Sequence, residues 1–456
     1  MDTVQRLRTT TRSWFVQQFL AALGGSSDRD LIWLTRVAEH LTPTERHRKQ
    51  VEWFRGLVQQ HHPAVQLARR VLTETAPQVR RGILLNLFVG TTWEGFKVRQ
   101  ELLAREGFYP PYLIVISPTM RCNLRCYGCY AGAYQWDAEL SPERLDRLVS
   151  EAKDLGIHFI TISGGEPFIR SDLLDLFRKH QDVAFHIYTN GTRIDEETAR
   201  KLARLGNAAP AISVEGFREE TDARRGEGVY ASIERAMKAL RDNGCLYGFS
   251  ATVTRQNADL MTSDAFIDHY VNLGCYFGWF FLYLPIGRAP SLDLMPTPEQ
   301  RDRLRQKILE IRRTRPIFAV DFWDDGPLSL GCMAAGKLYA HINHRGDVEP
   351  CVFAHFAVDN INDKPLREAL DSPFFRAIRA RQPFSDNKLR PCMIIDHPQV
   401  LRETVAQHGA RSTDGGGESL LVEEAPAIDA YSAEYAKLAD AAWQNGYGWA
   451  KDGELL

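Results

Sequence analysis

Three cysteines, Cys122, Cys126 and Cys129, fall within eight residues directly after the apolar run 112–116. On a loop leaving a strand, this CxxxCxxC spacing sets three thiolates around one small volume, and thiolates are the usual ligands of iron–sulfur clusters. No fourth cysteine follows nearby, which leaves one metal vertex for a non-protein ligand, as in a catalytic rather than a structural metal site. Structural zinc prefers four ligands in paired CxxC knuckles, and this loop has a single CxxC. A disulfide reading does not suit a long chain whose N-terminus, beginning Met1-Asp2-Thr3-Val4, lacks the apolar core of a secretion signal. The expected compartment is the reducing cytoplasm, which an oxygen-labile cluster requires.

A second motif, Thr161-Ile162-Ser163-Gly164-Gly165-Glu166-Pro167, ends the next apolar run. The two together resemble the cluster loop and GGEP turn of the radical S-adenosylmethionine (radical SAM) superfamily. The resemblance implies a [4Fe–4S] cluster on Cys122, Cys126 and Cys129 whose open iron binds SAM. It also implies that Gly164, Gly165 and Glu166 receive the methionyl amino group, glycine allowing close approach because it has no Cβ. Thr189-Asn190-Gly191-Thr192 resembles the polar strand end near the SAM ribose, although such residues are as commonly plain turn formers. Ser213 and Arg225 match the stretch that holds ribose and carboxylate, a role that suits a guanidinium. Where the family usually has an aromatic before the third cysteine this chain has Gly128, leaving Tyr127 and Tyr130 as flanking candidates, with Tyr127 assigned to the cofactor.

The length, 456 residues, suggests two or three domains. Residues 1–110 read as helical from apolar positions spaced three and four apart: Trp14, Phe15, Phe19, Leu20, Leu23, then Leu31, Leu34, Val37, Ala38, Leu41. Ser27 and Thr42-Pro43 look like helix starts. The piece 83–89 is apolar nearly all round, as expected of a helix buried against a neighbouring domain. Residues 111–288 alternate apolar runs (112–117, 159–163, 184–189, 210–214, 247–253, 279–284) with helical patterns such as 141–155, capped by Ser141 with Pro142 at its first position. Alternation of this kind predicts an α/β fold with a parallel sheet and right-handed crossovers; the resemblance implies a partial (βα)6 barrel with its site at the C-terminal strand ends. A connecting helix and strand fill 289–330.

Residues 331–400 hold Cys332, Cys351 and Cys392. The stretch 340–350 reads as a hairpin turning near Arg345 to Asp347, which would bring Cys332 and Cys351 together. This resembles a shortened, twitch-like form of the SPASM extension and implies one auxiliary [4Fe–4S] cluster. Asp396 and His397 are the nearest candidates for a fourth ligand. Cys245 and Cys275, each beside a glycine, read as small buried apolar residues. In the tail 401–456, the Gly/Ser/Thr/Asp-rich piece 412–419 reads as a flexible loop, followed by a helix around 428–444.

A formal charge of −2 offers no electrostatic case for nucleic acid. Segment 4–20, with basic residues beside Trp14 and Phe15, has a composition suited to a membrane surface. The resemblance implies reductive SAM cleavage to a 5′-deoxyadenosyl radical, a reductant such as flavodoxin or ferredoxin, and hydrogen abstraction from a substrate C–H. A peptide or protein substrate comes first; the aromatic run 279–284 motivates the alternative of a lipid or other apolar small molecule. A cluster protein serving only electron transfer is a third reading, disfavoured by the Gly-Gly-Glu-Pro turn beside an open cluster. A peptide enzyme would show a spare sheet edge, a lipid enzyme a long apolar tunnel.

Overall fold

The strands form where alternating residues face two different apolar environments. The computed structural model describes residues 24–41 and 45–447. Nine strands make one sheet: β1 (Leu113–Ile116), β2 (Phe159–Ile162), β3 (Ala184–Thr189), β4 (Ala208–Val214), β5 (Gly248–Val253), β6 (Phe277–Leu282), β7 (Phe318–Asp321), β8 (Tyr339–Ile342) and β9 (Val348–Glu349). Their order is β7-β6-β5-β4-β3-β2-β1-β8-β9. All pairs are parallel except the antiparallel β8–β9 hairpin. The mixed α/β architecture with a mostly parallel sheet is the one expected. Two features go beyond it: β7 extends the sheet on one side, and β8 pairs in parallel with β1, Val115 opposite His341, so the auxiliary hairpin continues the barrel sheet.

On the outer face, Ile114, Ile160, Phe185, Ile187, Ile212, Phe249 and Phe280 are buried under the crossover helices. One of these, Pro142–Asp154, is capped by the Ser141 hydroxyl, which accepts from Arg144 N, with proline at its start. Side-chain size differs around the inner face. Phe159, Tyr188, Trp279 and Phe281 are bulky, whereas β4 and β5 present Ser213, Ser250 and Thr252; the Ser213 and Ser250 hydroxyls lie 3.4 Å apart. Small residues opposite large ones leave the lumen open.

The N-terminal helices close the other end of this lumen. Ser27 starts the helix Asp28–Leu41, exchanging hydrogen bonds with the Asp30 side chain (2.7 Å between the side-chain oxygens). The stripe differs from the expected one: Leu31 and Thr35 face inward, while Leu34 and Val37 are each 38% exposed. The following chain crosses the N-terminal ends of the strands. Arg99 donates to Gly156 O before β2 (2.7 Å), Asn86 to Gln181 O before β3 (2.8 Å), Ala76 N to Gly244 O before β5 (2.8 Å), and Arg70 to Pro316 O before β7 (3.0 Å). Val79 and Ile83 pack with Ala209, Leu246 and Phe277 as a plug. Trp14, Phe15, Phe19, Leu20, Leu23, the segment 4–20 and Thr42-Pro43 lie outside the described residues. No helix among the described residues is long and apolar enough to cross a membrane.

The piece 412–419 is tied to the rest of the fold at both its pairing strand and Asp414. Arg411–Ser412 pairs antiparallel with Phe356–Ala357, and buried Asp414 accepts from Gly416 N (2.9 Å) and Gly417 N (2.7 Å) while pairing with His355. Two of the glycines there serve a buried carboxylate, while Gly415 and Glu418 face solvent. The tail helix spans Ala425–Gly446.

The plug depends on contact between two backbones. A Cβ added to Gly82 would stand 2.3 Å from Gly206 O. Gly82→Ala is expected to lower stability by about 1–3 kcal/mol, as overpacking does, in thermal melts, leaving cluster content unchanged.

Candidate active site: two thiol clusters around one lumen

The cysteine loop leaves the C-terminal end of β1 and is clamped by the turn after β2. Gly165 N donates to Thr119 O (3.0 Å) and Glu166 N to Arg121 O (2.8 Å). Neither glycine has room for a side chain: a Cβ would stand 2.4 Å from Thr119 O at Gly164, where φ is +109°, and 2.2 Å from Arg121 O at Gly165. Ser163, Gly164 and Gly165 line the cavity.

Glu166 does not. It is fully buried, and its carboxylate accepts from Thr189 Oγ1 (2.7 Å), Asn190 N (2.7 Å) and Phe168 N (3.0 Å). Burial pushes this carboxyl up although those donors oppose it. Glu166 therefore ties the end of β2 to that of β3, and the cavity meets the motif through its main chain.

Asn190 lines the cavity beside the cysteines: its Nδ2 donates to Asn123 Oδ1 (3.0 Å) and lies 3.8 Å from Cys122 Sγ. Ser213 and Arg225 also line it. The carboxylate Arg225 holds is a residue of this chain, Glu215, whose Oε1 takes Arg225 Nη2 (2.5 Å) and Arg224 Nη1 (2.6 Å). Arg224 further donates to Tyr127 O (3.3 Å) and Gly128 O (3.2 Å), so this ion pair braces the cysteine loop. Sequence reasoning missed Arg224, and nothing in the spacing of Glu215 and Arg224 signals it.

Tyr127 is off the cavity wall. It is 39% exposed, with its hydroxyl on Gln256 Oε1 at 3.4 Å. The space an aromatic would need at Gly128 is taken: a Cβ there would stand 2.6 Å from the ring of Tyr283, which follows β6 and lines the cavity with Tyr130. Tyr130 hydrogen-bonds Ser163 (2.7 Å between hydroxyls).

The cavity holds about 430 Å³ and runs from the three thiols past Tyr188, Trp279 and Phe281 to Phe322, Met333, Tyr339 and Phe353. Below Tyr188 on β3, His186 is packed among Phe159, Phe277 and Trp279; burial lowers its pKa to about 3, so it is neutral.

The last four of those cavity residues also line a second cavity of about 40 Å³ that contains Cys332, Cys351 and Cys392. Neither fourth-ligand candidate is free. The Asp396 carboxylate accepts from Arg301 Nη1 (2.6 Å) and Cys392 N (3.0 Å), and His397 Nε2 lies 3.1 Å from Arg390 O. Cys245 is buried with its thiol on Ala199 O (3.3 Å), and Cys275 is buried too.

The thiols suit clusters better than a lone ion. All eight cysteines are free, and among the described residues no three His, Cys, Asp or Glu side chains are arranged to hold a metal ion. Each trio instead rings a cavity, as a multi-iron cluster requires. Burial pushes Cys122 up to about 11 and Cys351 up to about 12, so without a bound metal these groups are protonated thiols.

A parallel sheet with three cysteines after its first strand and a glycine clamp after its second is the arrangement of a radical SAM domain. Family models agree: the Radical SAM superfamily matches residues 116–258, and the SPASM iron–sulfur cluster-binding domain matches 332–393. The chain thus carries a radical SAM domain and a SPASM domain, which imply a SAM-binding [4Fe–4S] cluster, SAM and an auxiliary cluster. It is 35% identical to Fe-coproporphyrin III synthase of Methanosarcina barkeri over 150 residues, 32% of this chain and 38% of that protein. It is 30% identical to mycofactocin maturase MftC of Mycolicibacterium smegmatis over 54% of this chain and 66% of that one. It is 26% identical to AdoMet-dependent heme synthase of Nitratidesulfovibrio vulgaris over 61% and 84%. The matched region thus spans less than two thirds of the first two relatives. Streptococcus suis SuiB bound to S-adenosylmethionine shares the fold at TM-score 0.53 and 19% identity, covering 62% of this chain and 71% of SuiB. Native anSMEcpe with bound AdoMet does so at 0.51 and 16%, covering 72% and 99%.

Gly165→Ala is expected to displace the cysteine loop and remove about half the iron, one of two four-iron clusters, by iron assay after anaerobic reconstitution. Arg301→Leu leaves Asp324 and Asp396, both buried on Arg301, without their cation. It should cost about 3–5 kcal/mol in denaturant unfolding.

Proposed function

We propose that this enzyme cleaves SAM reductively and abstracts hydrogen from an unactivated C–H of an apolar substrate, a lipid or other apolar small molecule, inserted into the barrel lumen. The observation that supports this most is the lumen itself: aromatic on β2, β3 and β6, open beside the small residues of β4 and β5, and plugged at its base.

Cys122, Cys126 and Cys129 would hold the SAM-binding cluster, with Asn190, Ser213 and the main chain of Gly164 and Gly165 facing the nucleoside and amino-acid portions. When bound, the cluster and SAM supply the 5′-deoxyadenosyl radical. The chain's part is to orient the substrate and exclude water and stray hydrogen donors. The Glu215–Arg224 brace fixes the cysteine loop, Tyr130 is tethered to Ser163, and Trp279 and Phe281 present apolar surface to the target carbon.

The sheet offers a peptide little to pair with. On β7, Ala319 O accepts from Arg312 Nε (2.9 Å) and Asp321 N donates to Asp325 Oδ2 (3.0 Å). β9 has two residues, with Val348 N on Asp359 O (3.0 Å). Two relatives are named as heme and Fe-coproporphyrin synthases, and such flat macrocycles suit an aromatic slot. A second reading, peptide modification, has support from the maturase relatives and from SuiB, whose fold is also known with the precursor peptide SuiA bound.

The test is deuterium transfer. Reconstituted enzyme with SAM and dithionite is given either perdeuterated lipid extract or a deuterated peptide library, and 5′-deoxyadenosine is analysed by mass. Deuterium from the lipid arm, lost in Trp279→Ala, is the expected result. Transfer from the peptide arm alone would overturn the apolar reading in favour of the second. Absence of 5′-deoxyadenosine in both arms, with an intact cluster, would sink SAM cleavage itself.

A further inference from the structure

The two cavities share a wall of four residues, Phe322, Met333, Tyr339 and Phe353, and one of them carries a hydroxyl. Tyr339 opens β8, opposite Leu113 of β1, and is 4% exposed. Its backbone is pinned in a tight turn: Tyr339 N donates to Met333 O (3.0 Å) and Gly336 N to Tyr339 O (2.9 Å). Its ring packs against Phe322, centroids 6.1 Å apart. A buried phenol needs a partner, and this one donates to Cys351 Sγ at 2.8 Å. Among the described residues the auxiliary sulfurs otherwise receive main-chain amides, Phe353 N on Cys351 at 3.5 Å and Ile394 N on Cys392 at 3.3 Å.

We propose that Tyr339 is the positioning residue that tunes the auxiliary cluster from the lumen side, its ring partitioning the two compartments and its hydroxyl hydrogen-bonding the Cys351 sulfur. This rests on Cys332, Cys351 and Cys392 holding that cluster. A hydrogen bond to a ligand sulfur withdraws electron density from iron, stabilises the reduced cluster and raises its potential. No main-chain amide can be altered by substitution in the same way, so Tyr339 is where sequence sets this property. It also makes the bond sensitive to whatever presses on the ring from the lumen.

The experiment is an EPR-monitored redox titration of the full chain, wild type against Tyr339→Phe, which keeps the ring and removes the donor. The auxiliary midpoint should move to lower potential while that of the SAM cluster and the iron content stay at wild-type values. Unchanged midpoints would overturn the proposal. If Tyr339→Phe does not retain its auxiliary iron, resonance Raman of the wild type decides. The Fe–S(Cys) bands should shift on brief transfer to D2O, before buried amides exchange, and bands that do not move would overturn it. A wild-type chain that binds iron only through Cys122, Cys126 and Cys129 would instead sink the auxiliary-cluster reading itself, a separate failure visible in the iron assay.

Discussion

The mouth of the barrel depends on two main chains passing at a distance that excludes a methyl group. The cysteine loop and the Gly164-Gly165 turn are joined by amide–carbonyl hydrogen bonds, and any Cβ at those glycines would fall on a carbonyl oxygen. Behind them, Glu166 fastens the same turn to the end of β3. The loop is further braced by Arg224, itself anchored on buried Glu215 at the end of β4. Strands β1 to β4 thus each contribute to holding three thiols in one place, which a flexible loop of the same composition would not do.

Much of this was legible because local patterns carried it. The six barrel strands are apolar runs bounded by helical periodicity, and the clamp is a motif with a steric reason. What stayed hidden were contacts set by the tertiary fold. The motif at Glu166 resembles one that receives an amino group, but nothing along the sequence signals that its carboxylate accepts from Thr189, Asn190 and Phe168. The sequence offers Tyr127 next to Gly128, whereas Tyr283, over 150 residues away, fills the space beside that glycine. Asp396 and His397 were near Cys392 along the chain, but Arg301 and the Arg390 carbonyl claim them.

Composition misled at 412–419, where glycine and polar residues suggested mobility. Asp414 needs those glycine amides close by, and burial with His355 makes the segment part of the packing. In the N-terminal helices, the apolar run that begins at residue 83 puts Ile83 against Ala209, Leu246 and Phe277 at the base of the barrel.

The parallel pairing of β8 with β1 has a consequence for how the chain is made. Val115 waits for His341, its partner across the sheet. At ribosomal rates of about 5–20 residues per second, the intervening 225 residues take roughly 11–45 s to appear. During that interval one side of β1, the strand that launches the cysteine loop, presents unpaired amides and carbonyls, a template for wrong partners. The nascent chain is therefore most exposed to misassembly at the strand nearest its future metal centre, and insertion of iron before β8 arrives would take place on a half-built edge.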